Sequence, residues 1–175
     1  MQSAWWMAFA FLAALVETGM GNAGIPVPAF LAAAFCLFVI TANRFLLLPL
    51  GLLGLTLDIV LCRGSLLTPL LLLAVAAFAA RWRRHGDCRL RVLQALPGFV
   101  LGLGWVWAAA LMENLPRQPG APFPLAHVVG QSLAAGVAGA VALPVAVAFY
   151  DAAAGRLGLP SYRRIQRSEG GAHGA

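Results

Sequence analysis

Long apolar segments that carry almost no charge dominate this chain and restrict the folds open to it. The segment from Phe45 to Ala80 is interrupted only by Asp58, Arg63 and a few small polar residues. Of the 175 residues, 61% are hydrophobic and 10% are charged, and the mean hydropathy is +0.84. A soluble domain of this length could not cover its apolar surface with so few charges. The sequence therefore predicts an integral membrane protein.

Six segments are predicted to span the membrane as helices. A spanning helix needs about 17–25 mostly apolar residues, and some of these segments lie near the short end of that range. The predicted fold is all-α, a compact bundle of six transmembrane helices in residues 1–155, followed by a basic, disordered tail in residues 156–175. Pro49 and Pro144 fall inside predicted spans and are expected to kink them. The predicted spans are residues 3–19, 27–43, 45–62, 65–80, 92–112 and 125–150.

The distribution of arginine predicts the orientation of this bundle. All twelve basic residues are arginine, and six spans would place ten of them on one side of the membrane. Only Arg63 and Arg117 would lie on the other side. Because basic residues concentrate in cytoplasmic loops, both termini are predicted to be cytoplasmic. The excess of basic residues is therefore interpreted as a sign of membrane orientation and not of nucleic-acid binding.

Five arginines crowd the loop between the fourth and fifth predicted spans. Retention on the anionic cytoplasmic leaflet is one interpretation of this loop, and membrane lipids would then be its partners. A docking surface for a cytosolic protein is the alternative. The five residues are Arg81, Arg83, Arg84, Arg89 and Arg91.

The residue types used in catalysis and metal binding are present, but their spacing predicts neither activity. The three histidines are far apart in sequence, whereas a zinc site needs three or four convergent ligands. Ser132 follows His127 by five residues, which suits no catalytic dyad, and it is expected to hydrogen bond across a helix interface. The three cysteines show no metal or disulfide spacing. The chain is therefore predicted to be no enzyme and to hold no metal or cofactor.

Small residues repeat at four-residue spacing in the last two predicted spans. Such stripes let helix backbones approach closely. They are expected to pack inside the bundle, and a docking face for another membrane protein's helix is the alternative. The glycines concerned are Gly98, Gly102, Gly136 and Gly139, with Ala135 and Ala140 completing the pattern.

Asp58 is the most unusual residue in the apolar sequence. It precedes Arg63 by five residues, which places it roughly 7 Å below the outer end of the third span. An acid at that depth implies a partner or a water-accessible cavity. Arg63 or Arg117 could supply an ion pair, and Glu17 and Glu113 are carboxylates expected on the same side. A structural ion pair and a partner-binding or cavity role both remain open.

The glycine-punctuated helix "GLLGLTLDIVL", the "CRG" turn and the basic loop after the fourth span resemble the MreD family of rod shape-determining proteins. The resemblance covers residues 4–150, and its specific core is Gly51, Gly54, Asp58 and Gly64. This chain reads "GSLLTPL" after the turn, where family members often carry a proline-leucine-glycine step.

The resemblance implies a non-enzymatic component of the bacterial cell-elongation machinery, which supports peptidoglycan synthesis at the inner membrane. MreC would be the direct partner, in a complex with MreB, RodA and a class B penicillin-binding protein. Asp58 and Arg63 would set the geometry of the third and fourth helices, and the short outer turns would face MreC. The family is similar in fold to substrate-binding subunits of energy-coupling-factor vitamin transporters, which supplies the alternative function.

Overall fold

Six α-helices make up most of this computed structural model, which describes residues 2–63, 66–85, 91–114 and 124–162. No strand occurs in these ranges, so the prediction of an all-α fold with six helices is confirmed. A short 3₁₀ turn, Arg44–Leu46, leads into the third helix. The helices are α1 Gln2–Asn22, α2 Ala29–Thr41, α3 Leu47–Val60, α4 Leu67–His85, α5 Arg91–Asn114 and α6 Leu125–Leu157.

Helix α2 forms the centre of the bundle. Every residue from Phe30 to Ile40 is buried, and α2 packs against α1, α4 and α6. Since it is apolar on all sides, its composition suits a fully enclosed helix. Its 13 residues extend only about 20 Å, less than the predicted span 27–43. Pro28 stands just before its first residue, and Ala42 ends it in a left-handed conformation with φ 50°.

Among the helices that the structure describes, three are long and apolar enough to cross a membrane, in residues 2–22, 93–113 and 125–157. Helices α2 and α3 are apolar but shorter, and the apolar part of α4 is followed by arginines. Many large apolar side chains on the bundle surface are exposed, among them Phe11, Leu15, Val137 and Val141. Apolar surface on this scale suits a lipid environment better than water.

The helix limits differ from the predicted spans for identifiable reasons. Helix α3 begins at Leu47, so Pro49 lies in its first turn, where no helical hydrogen bond is lost. The expected kink at that proline is therefore wrong, whereas Pro144 does lie inside α6. Helix α4 continues past Ala80 through the arginines to His85.

The beginning of the predicted tail belongs to the folded bundle. Helix α6 continues to Leu157 and ends where Gly158 adopts a left-handed conformation with φ 66°. The chain then returns to the bundle, where Tyr162 is fully buried and its backbone N–H donates to Asp151 Oδ1 at 2.7 Å. The remainder of the predicted tail, residues 163–175, lies outside the described residues.

Candidate functional site

Asp58 joins α3 to the beginning of α4. Its side chain is 3% exposed, and it accepts the backbone N–H of Thr68 at 2.8 Å and the Thr68 hydroxyl at 2.5 Å. Helix α4 begins at Leu67, so the Thr68 N–H is one of the donors that a helix leaves unsatisfied in its first turn. Asp58 therefore caps a neighbouring helix, and its negative charge lies where the α4 dipole favours it.

Glu17 performs the same role for the central helix. Its carboxylate, also 3% exposed, accepts the backbone N–H of Phe30 through Oε2 at 2.9 Å. Pro28, which stands before α2, provides no side-chain cap. The first turn of α2 is thus satisfied by a carboxylate from α1, which fixes the position of these two helices relative to each other.

Arg63 connects the two buried carboxylates. Its Nη2 lies 2.9 Å from Glu17 Oε1, and its Nη1 lies 3.8 Å from Asp58 Oδ1. The guanidinium also lies over the Trp105 ring, with Cζ 4.8 Å from the centroid, which adds a cation–π contact from α5. We call Glu17, Asp58, Arg63, Thr68 and Trp105 the polar cluster; it links helices α1 to α5 at one end of the bundle.

The way α3 ends places Asp58 at one end of the bundle and not in its middle. The Arg63 N–H donates to the Asp58 carbonyl at 2.9 Å, and the Cys62 N–H donates to the Ile59 carbonyl at 3.1 Å. Cys62 has φ 51°, and the three features define a Schellman motif with cysteine in the position usually taken by glycine. Helix α3 ends at Val60, so Asp58 is in its last turn and the expected depth of roughly 7 Å is too large.

The polar cluster contains one predicted pairing and several contacts that the sequence reasoning missed. An ion pair of Asp58 with Arg63 was expected, but Glu17 is the closer partner of Arg63. Thr68 was not considered, although a threonine followed by proline near the start of an apolar helix is a recognisable signal for a helix N-terminus. The other candidate partner, Arg117, lies outside the described residues, as does Gly64.

The two glycines of the resemblance motif have different surroundings. A Cβ at Gly54 would lie 2.8 Å from Thr68 Cγ2, so α3 and α4 approach closely only because this side chain is absent. A Cβ at Gly51 would meet nothing within 4 Å. Gly54 thus belongs to the contact that the polar cluster completes, whereas Gly51 is not needed for packing in this bundle.

A cleft of about 580 Å³ opens beside the polar cluster. Its walls come from the α1–α2 connection, from α5 and from α6, and Arg63 and Trp105 form part of its floor. Within the described part of the chain, the buried Trp105 Nε1 has no hydrogen-bond partner. The exposed polar residues of the cleft are Glu113, His127 and Gln131. Together these groups could orient a small polar molecule by hydrogen bonds and charge.

No group of three or more histidine, cysteine, aspartate or glutamate side chains that could hold a metal occurs within the described ranges. His127 and Ser132 are both on α6, but the Ser132 hydroxyl donates to the Val129 carbonyl at 2.9 Å. That bond is within one helix, so the expected hydrogen bond across a helix interface is wrong for Ser132. The third histidine, His173, lies outside the described residues.

The glycine stripes of α5 and α6 face each other. A Cβ at Gly98 would overlap the Gly139 carbonyl, and a Cβ at Gly102 would overlap the Ala135 carbonyl. Gly136 faces the Phe99 ring, with 2.8 Å between that ring and a built Cβ. The two backbones are therefore in direct contact, as small-residue stripes permit, and these four glycines are not available to another protein's helix.

The basic stretch lies at the opposite end of the bundle from the polar cluster. Arg81, Arg83 and Arg84 are in the last turns of α4, where positive charge complements the helix dipole. Arg81 and Arg84 are exposed and Arg83 is half-buried. Arg91 is the first residue of α5, and Arg89 lies outside the described residues.

These features define a helical bundle with segments long and apolar enough to cross a membrane, a buried ion-pair cluster at one end and a basic stretch at the other. Comparisons with protein-family models, with curated proteins and with solved structures give no match to this chain.

Proposed function

We propose that this chain is a multi-pass protein of the bacterial cytoplasmic membrane and a non-enzymatic, MreD-like component of the cell-elongation machinery. It would bind a single-span MreC scaffold and so support peptidoglycan synthesis. The observation that carries the proposal is the polar cluster. Asp58 and Gly54, two of the residues behind the resemblance, lie where α3 meets α4 and fix these two helices against each other.

A rigid end of the bundle suits a scaffold. Glu17 and Asp58 are each engaged by a helix N-terminus and by Arg63, which favours a structural role over acid–base chemistry. Because these contacts join helices α1 to α4 at their ends, those helix ends are held in fixed positions. Fixed helix ends provide a preorganised surface, which lowers the entropy cost of binding a partner.

The proposed topology has six spans with both termini in the cytoplasm. Support comes from the separation of charge: Arg81, Arg83 and Arg84 lie at one end, with Arg156 in the last turn of α6. At the other end Arg63 is paired with Glu17. Positive charge concentrated at one end is the pattern of a cytoplasmic face. The shortness of α2 is compatible with this topology because α2 is enclosed by protein and need not match the lipid thickness.

Co-purification tests the proposal. The tagged chain is extracted from its native membrane in mild detergent or nanodiscs, and the proteins that accompany it are identified by mass spectrometry. We expect a single-span MreC-like protein, and we expect Asp58→Ala to reduce its recovery while Gly51→Ala, a change in open space on the same helix, leaves it unchanged. Equal recovery with all three forms would contradict the role given to Asp58, and absence of such a protein would contradict the function.

The cleft favours one alternative function, a substrate-binding subunit of an energy-coupling-factor vitamin transporter. Its volume of about 580 Å³ falls within the usual range for small-molecule sites, roughly 300–1,000 Å³. Arg63 and Trp105 would then contact the vitamin. Recovery of paired ATPases with a coupling subunit, or of a vitamin in an extract of the purified protein, would establish this alternative in place of the scaffold.

A further inference from the structure

A second cavity, of about 670 Å³, lies at the basic end of the bundle. Arg83, Arg84 and Asn43 line one part of it, and apolar residues from the end of α2, from α3 and from α4 line the rest. Among the lining residues that the structure describes, none is acidic. The cavity therefore combines a positive mouth with an apolar groove, and this combination matches the two halves of a phospholipid.

We infer that this cavity binds one anionic glycerophospholipid of the surrounding leaflet. The phosphate would lie at Arg83 and Arg84, and one acyl chain would follow the groove beside α4. The inference rests on the membrane insertion included in the proposed function, but it needs neither MreC nor any other protein partner.

The groove covers about two thirds of the depth of one leaflet. Its apolar lining on α4 runs from Leu73 to Ala80, which corresponds to about 10 Å along the helix axis. One leaflet contributes about 15 Å of hydrocarbon, half of the bilayer core, so the first part of an acyl chain would lie in the groove and its end in the surrounding lipid. Ala76, Ala77 and Ala80 supply the wall between these ends, and their small side chains leave room for a chain to lie against the helix.

The mouth of the cavity offers donors suited to a phosphate. Arginine binds phosphate oxygens through planar, charge-assisted hydrogen bonds. Asn43 Oδ1 already accepts the Phe45 N–H at 3.0 Å, so the side-chain NH₂ group of Asn43 is the part able to donate. Arginines near the C-terminus complement the dipole of any helix, so their position on α4 does not by itself indicate a lipid. The apolar groove that leads away from them is the feature specific to a lipid.

The test measures lipid binding to the full-length chain in detergent by native mass spectrometry. Phosphatidylglycerol and phosphatidylcholine with identical acyl chains are compared, so that only the headgroup charge differs. We expect the wild type to prefer phosphatidylglycerol. Each arginine near an anionic headgroup contributes about 5-fold to affinity, so Arg83→Gln with Arg84→Gln should reduce the preference about 25-fold, and Arg84→Gln alone about 5-fold.

Two matched controls separate this site from general charge attraction. Arg81→Gln with Arg156→Gln removes two charges outside the cavity and should keep the preference. Ala80→Leu fills the groove and should weaken phosphatidylglycerol binding, whereas Ala74→Leu, an exposed α4 position outside the groove, should not. Equal losses from both arginine pairs, no effect of Ala80→Leu, or no headgroup preference in the wild type would each overturn the inference. Partner capture in the co-purification test is measured separately, so its failure would leave these results standing.

Discussion

Glu17 is predicted to contribute more to the stability of this bundle than any exposed acidic residue. Glu17→Ala removes the acceptor for the Phe30 N–H and the nearest countercharge of Arg63 at the same time. Removing one partner of a buried ion pair costs about 3–5 kcal/mol, and a lost helix cap costs about 1 kcal/mol. Since Arg63 is 16% exposed and keeps Asp58 at 3.8 Å, the cost of breaking the ion pair should fall below its usual range, and we expect about 3–4 kcal/mol in total.

The assay is thermal unfolding of the purified full-length chain in one detergent, followed by loss of the monodisperse peak or by tryptophan fluorescence. For a chain of this size, 1 kcal/mol corresponds to about 2–4 °C, so Glu17→Ala should lower the melting temperature by about 6–16 °C. Glu17→Gln keeps an oxygen acceptor for Phe30 but removes the charge, and it should lose about half as much.

Glu113→Ala is the matched control, because it removes an exposed carboxylate from the same end of the bundle and should change stability by less than about 0.5 kcal/mol. The double variant Glu17→Ala with Arg63→Met should be less destabilised than the sum of the single variants, since no guanidinium is then left without its partner. A melting temperature for Glu17→Ala within 2 °C of the control, roughly 1 kcal/mol or less, would refute this account of the polar cluster.

The same unfolding assay tests three further positions. Gly54→Ala should destabilise the fold by about 1–3 kcal/mol because the added methyl group would meet α4. Gly51→Ala is the control and should be neutral or stabilise the fold by up to about 1 kcal/mol. Equal effects of the two substitutions would contradict the close approach of α3 and α4. Cys62→Gly should stabilise by about 1 kcal/mol, since it relieves a left-handed residue with φ 51°, and a loss of stability would show that its side chain is needed. Gly102→Leu should separate α5 from α6 and unfold the protein at a lower temperature, while Gly104→Leu, which meets open space, should not.

Features that depend on local composition were predictable from the sequence. The number of helices follows from apolar segment length, and the positions of the breaks follow from glycine, proline and polar residues between them. The stripes at Gly98 and Gly136 also follow from spacing, because residues four apart share one face of any helix. What these stripes touch could not be read from spacing alone, and in this bundle they touch each other.

The partners within the polar cluster depend on how distant helices meet. Arg63 could be expected to pair with Asp58, five residues away, yet its closest carboxylate is Glu17, 46 residues earlier. Helix α2 is apolar on every side, and this pattern suits a helix enclosed by protein as well as one that faces lipid, so the sequence did not decide its central position.

By itself, the sequence determined the all-helical class, the approximate limits of the helices and the concentration of arginine after the fourth apolar segment. Each of these is a property of contiguous residues. Only the tertiary structure decided which helix is enclosed and which carboxylate Arg63 binds. It also decided that Gly54, and not Gly51, is the α3 glycine in contact with α4. These outcomes depend on where helix ends meet in space. A helix end leaves backbone donors unsatisfied, and in this protein the donors of α2 and α4 are satisfied by carboxylates from α1 and α3.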